Sequence, residues 1–178
     1  MQARMMLLLL IAAQAAVAEI PDSSENGFTT IHEVEIDAPR AAVYAAAVDD
    51  IGNWWSDDHT ISGDAGRMSI DAVVQGCFCE MLGDKAGIVH LTVTFANPGV
   101  LLRMTGALGP LGVTGVNGNM LWEFADSGAA TTVRFTYVVG GYRPGGLEEI
   151  APAVDFVIGE ALARLQAYVE TGDADTLD

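Results

Sequence analysis

The chain has 178 residues, 51% of them apolar, with 24 acidic against 8 basic side chains and a formal charge of −16. That apolar content excludes disorder for the body of the chain. An acidic balance of this size repels phosphate backbones and anionic headgroups, which argues against nucleic-acid and membrane-surface roles.

Chain order begins with a segment that reads as an export signal. Arg4 precedes the apolar run Met5 to Ala13, and Ala16-Val17-Ala18 offers small residues to a signal peptidase. The expected cut falls between Ala18 and Glu19, leaving a periplasmic or secreted protein with no stable membrane insertion. The run is far short of the roughly 20 residues needed to cross a bilayer, although an uncleaved anchor that also uses Gln14 to Val17 is the alternative. The chain beyond the cut is long enough for one domain that buries roughly two thirds of its unfolded surface.

Residues 19–27 are polar and read as a flexible arm. Phe28 to Ile36 alternates as a strand, with Phe28, Thr30, His32, Val34 and Ile36 on one face. Asp37-Ala38-Pro39 opens an alanine-rich helix to Val48, since proline loses nothing in a first turn. A short helical segment at Ile51 to Trp54 precedes a polar loop. Six strands are expected at Arg67–Val74, Cys77–Leu82, Ile88–Phe95, Val100–Thr105, Asn119–Phe124 and Thr131–Val139, joined by hairpin-type turns. The connection GALGPLGVTGVNG, residues 106–118, carries five glycines among apolar side chains. It reads either as a flap over an apolar opening or as an irregular connection. Apolar spacing of three and four marks the last helix; Pro152 sets its start near Ala151 and Gly172 its end. An acidic tail, 172–178, is expected to fray.

The two cysteines, Cys77 and Cys79, share one face of an extended strand with Cα atoms about 6.6 Å apart, at the far edge of disulfide geometry. Two inward-facing thiols are the preferred expectation; a strained redox-active pair is the alternative. His90 falls outside by simple alternation, His59 lies in a polar cluster with Asp57 and Asp58, and His32 sits on the inner face. Trp54 and Trp55, about 100° apart on a helix, cannot both enter one pocket, so one packs and the other sits at its mouth. Arg103 faces solvent, where an acidic partner is expected. No metal-ligand spacing and no strained nucleophile elbow is present, and no cofactor is implied.

In this order, Glu35-Ile36-Asp37-Ala38-Pro39 with Val43-Tyr44, the Trp54-Trp55 pair, Gly76 to Glu80, Gly118 to Phe124 and Leu165 to Val169 resemble the START and Bet v 1-like superfamily. The resemblance is particularly to bacterial SRPBCC proteins of the polyketide cyclase/dehydrase-like or activator-of-Hsp90-ATPase-like kind. It implies a single α+β domain, 28–171, of helix-grip fold: a curved antiparallel sheet of about seven strands wrapped round a long C-terminal helix. It also implies a cavity for a small hydrophobic or amphipathic molecule. Its wall would include Trp122, Tyr137, Phe135, Met104 and Leu102, with Cys77 and Cys79 opposite, His32 at one end and Trp54 or Trp55 near the mouth. Three readings stay open: an exported binding protein, a cyclase or dehydratase using one acid or base such as His32 or Tyr137, and a protein-interaction module whose cavity is filled.

Overall fold

A computed structural model describes residues 17–176. The apolar run Met5 to Ala13, expected to belong to an export signal, lies outside them. The elements are strands β1 (Val17–Ser24) and β2 (Gly27–Ile36), helices α1 (Arg40–Asp49) and α2 (Ile51–Trp54), strands β3 (Met68–Ile70), β4 (Cys77–Gly83), β5 (Ala86–Asn97), β6 (Leu101–Gly106), β7 (Gly115–Ser127) and β8 (Ala130–Tyr142), and helix α3 (Ala151–Thr171). The strands form one antiparallel sheet in the order β1-β2-β8-β7-β6-β5-β4-β3. This is an α+β helix-grip fold, with α3 lying against β2.

Among the described residues eight strands are present, where the sequence suggests about seven. The additional one is β1, formed by the stretch expected to be a loose arm; it pairs with β2 through a register shift between Glu19 and Asp22. Polar residues suit it because an edge strand needs ladder bonds, not two buried faces. The expected cut between Ala18 and Glu19 falls inside β1 and would leave Glu19 to Ser24 as its remainder.

The inner faces of β7 and β8 follow strict alternation. Val116, Met120, Trp122 and Phe124 are buried on one strand, and Val133, Phe135, Tyr137 and Val139 on the other. Trp122 stacks on Phe135 with ring centroids 4.5 Å apart, a geometry worth about 1 kcal/mol beyond the area it buries. Trp54 packs on Trp122 from α2 at 6.0 Å, and its indole N–H donates to the Ala46 carbonyl. Aromatic rings thus fill the middle of the sheet's concave side.

Helix α3 starts at Ala151, with Pro152 in its first turn, and stops at Gly172, whose φ of 82° is the left-handed conformation that glycine adopts without strain. Its inner face carries Ile158, Ala161, Leu162 and Leu165. The segment after Gly172 does not fray through residue 176. Ala174 is buried, and Asp175 Oδ1 accepts from Arg164 Nη1 at 2.6 Å.

Candidate functional site

A β-bulge decides the chemistry of the β4–β5 hairpin. Phe78 pairs with Leu91 while Cys79 pairs with Val89, so His90 is the extra residue on β5. Bulges re-aim a side chain, and His90 and Leu91 are consequently both buried. The expectation that His90 lies outside fails for this reason: alternation breaks at the one residue that matters.

On β4, Phe78 and Glu80 point inward, while Cys77 and Cys79 lie half-buried on the opposite face. The two cysteines form a disulfide, with Cα atoms 5.4 Å apart. The expectation of two inward-facing thiols therefore fails on both counts. The 5.4 Å separation is shorter than the roughly 6.6 Å of an extended strand and lies within the range a disulfide spans. Closing so short a loop removes only about 1.6 kcal/mol of chain entropy from the unfolded state, so this bond is a weak staple.

Glu80 is fully buried, and its carboxylate is well partnered. It accepts from the Ile61 N–H at 3.1 Å and from the Ser62 N–H, and lies 2.9 Å from His90 Nε2. Burial alone would raise its pKa. Hydrogen bonds from Ser62, the Ile61 backbone and His90 outweigh that and hold it below the ordinary carboxylate value. His90 Nδ1 accepts from the Gly109 N–H at 3.4 Å, an arrangement that leaves the proton on Nε2, directed at Glu80. One buried pair thus fastens two loops, 56–67 and 107–114, to the sheet.

Those loops are two walls of a pocket enclosing about 230 Å³. Trp55, capping the end of α2, stands beside Ile61 of the first loop, and Leu108, Pro110 and Leu111 come from the glycine-rich segment, whose residues 109–113 form a 3-10 turn. Ile150, Val154 and Val157, at the start of α3, make the third wall. The lining is apolar except for Asp58, His59 and Thr60. His59 Nε2 lies 2.7 Å from Glu160 Oε2 on α3, which fixes the ring, and Phe156 stands edge-on to it. Asp57, by contrast, is structural and accepts from the Ala65 N–H.

Of the ten residues expected to line a cavity, only Trp55 lines this pocket. Both tryptophans are buried: Trp54 in the core, and Trp55 against Phe78 with its N–H on the His59 carbonyl. Trp122, Phe135, Met104 and Leu102 are core residues with essentially no exposure. Tyr137 is equally buried. Its hydroxyl accepts from the Leu108 N–H and donates to the Gly106 carbonyl, and burial pushes its pKa up to about 12. It anchors the glycine-rich loop and is unsuited to proton transfer near neutrality. His32 lies beneath α3, 2.8 Å from Asp155. Arg103 is solvent-facing, but it donates to Thr94 and lies over the Phe95 ring, with no acidic partner among the described residues. Sequence reasoning missed Glu80, His90, Glu160 and the α3 wall. An acid at an inward position of β4 was the available signal for Glu80; His59 and Glu160 are 101 residues apart and gave none.

Among the described residues, no three His, Cys, Asp or Glu side chains are placed to share a metal ion, and no helix is long and apolar enough to cross a membrane. Residues 28–170 match the family described as polyketide cyclase / dehydrase and lipid transport, and the chain belongs to that family. No curated protein sequence matches it. Solved structures share the fold at low identity. A conserved protein of unknown function from Enterococcus faecalis is 14% identical, over 92% of this chain and 82% of that one, with a TM-score of 0.61. CalU16 from Micromonospora echinospora is 15% identical, over 90% and 86%, with a TM-score of 0.57. The Aha1 dimer from Colwellia psychrerythraea is 18% identical, over 81% and 97%, with a TM-score of 0.58.

Proposed function

We propose that this protein binds a small, mostly apolar molecule with one polar group, held between the two loops and the start of α3. The observation that carries this reading is an apolar pocket with its polar groups gathered at Asp58, His59 and Thr60, where Glu160 holds His59 in place. Concave apolar sites with few oriented polar groups are the usual form of small-molecule sites. At about 230 Å³ the volume suits a one- or two-ring compound better than a full lipid chain.

The family description, which couples cyclase, dehydrase and lipid transport, supports the ligand class. A second reading, acid–base catalysis on such a ligand, is favoured by the His59–Glu160 pair, because a carboxylate that orients an imidazole is a common acid–base arrangement. We also place the mature protein outside the reducing cytoplasm. The leader pattern around Arg4 and Ala16-Val17-Ala18 supports this, as does a disulfide, a bond rare in cytosolic proteins.

Native mass spectrometry of the gently purified chain, with titration by naphthol-sized aromatic alcohols, tests the binding reading. Ala153→Trp fills the pocket and should abolish retention, whereas His59→Ala should weaken it about tenfold, the worth of one hydrogen bond. Retention unaffected by Ala153→Trp refutes the site. Turnover of a bound alcohol that is lost in His59→Ala would move the assignment to the enzyme reading.

A further inference from the structure

We infer that Cys77–Cys79 is a redox-active disulfide whose reduction by a dithiol releases the hold of Glu80 and His90 on the pocket loops. The bond sits on the face of β4 opposite the core, with both cysteines half-buried rather than enclosed in it. β4 lies next to the sheet edge, covered only by the three-residue β3, on which Ser69 pairs with Cys79 and is exposed. The ring spans too few residues to act as a staple, so a structural role does not account for it.

Its consequence is local geometry. The Cα atoms of Cys77 and Cys79 are 5.4 Å apart, whereas a relaxed strand would set them about 6.6 Å apart. Phe78, between the sulfurs, packs against Trp55, Trp122 and the His90 ring. Glu80, the next residue after Cys79, carries the carboxylate that holds Ile61 and Ser62. Opening the bond lets β4 extend at Cys77 to Cys79, and the Glu80 carboxylate, with its hold on Ile61, Ser62 and His90, shifts with it.

The exchange balances as a two-electron transfer. A thiolate of the dithiol attacks one sulfur and breaks the Cys77–Cys79 bond, and the other cysteine leaves as a thiolate that takes a proton from solvent. The second thiolate of the dithiol then attacks the mixed disulfide. The product is a Cys77/Cys79 dithiol together with an oxidised reductant.

The test uses the folded full chain and dithiothreitol, followed by alkylation and mass measurement. We expect two alkylated thiols, formed at a rate within about a hundredfold of that in denaturing urea, as befits a disulfide outside the core. Amide exchange at Ile61, Ser62 and Gly109 should rise about tenfold on reduction, while the interior of α3 stays protected. The Cys77→Ser/Cys79→Ser double variant should show the same raised exchange without reductant. Reduction slower than that limit, or unchanged exchange at those three amides after complete reduction, overturns the inference. Neither readout needs a pocket ligand, so the result is independent of the binding reading.

Discussion

Removing the Glu80 carboxylate should cost more stability than removing any other single polar group in the protein. In Glu80→Ala, the N–H groups of Ile61 and Ser62 and the buried His90 Nε2–H lose their acceptor. Hydrogen bonds to a charged acceptor are each worth about 1.5–3 kcal/mol, and a buried donor left without its acceptor costs about 1–3 kcal/mol. The bonds are not additive, so we expect about 4 kcal/mol. With a urea m-value near 2 kcal/mol/M, the midpoint should fall by about 2 M. Glu80→Gln keeps one acceptor oxygen but turns an amide N–H toward another donor, and should cost about half as much. The pH dependence gives an independent arm. Because the folded-state pKa of Glu80 is lowered, its contribution is fully present above the unfolded value near 4.5 and is lost as pH falls through the lower folded value. The wild-type protein should therefore lose stability more steeply below pH 4.5 than Glu80→Gln. A Glu80→Ala midpoint within about 0.5 M of wild type would refute the claim that this pair holds the loops.

Gly159→Ala should destabilise despite alanine's better helix propensity. A Cβ there would lie 2.7 Å from His32 Cε1, forcing the ring away from Asp155. Overpacking of about 2–3 kcal/mol against a propensity gain of about 1 kcal/mol leaves a net loss, read as a lower Tm; an unchanged or higher Tm contradicts it. Tyr137→Phe orphans the Leu108 N–H, should cost about 1–3 kcal/mol, and should raise exchange at that amide. In ultraviolet titration of the wild type, Tyr137 should ionise only at about 12. Its raised pKa makes its share of stability present below pH 10 and lost as pH climbs through that value. Ordinary ionisation near pH 10 would contradict its burial.

Regular periodicity made much of the fold legible, and departures from it hid the rest. Pro152 and Gly172 bracket α3 because each acts through its own backbone. The inner faces of β2, β7 and β8 follow from alternation that no bulge interrupts. The same rule misplaced Cys77, Cys79 and His90: counting inward from the cysteines buries the wrong face of β4, and a bulge turns His90 over on β5. A buried carboxylate at Glu80 also contradicts polarity-based assignment until its three donors are known, and those lie on a distant loop and the neighbouring strand. The family resemblance implies a cavity inside the sheet, where large aromatic side chains instead fill the space. The pocket's actual walls belong to segments with little periodicity of their own.

The filled aromatic interior separates two demands that a hollow sheet would place on the same side chains. Trp54, Trp122 and Phe135 hold the sheet against α2, while Leu108, Val154 and Val157 face the pocket from outside that cluster. Exchanging the latter group alters which molecule fits without opening a void in the core, so ligand preference is free to drift under mutation while folding stays protected. Libraries randomised at those three positions should accordingly yield mostly folded protein, and offer a direct route to new binders on this scaffold.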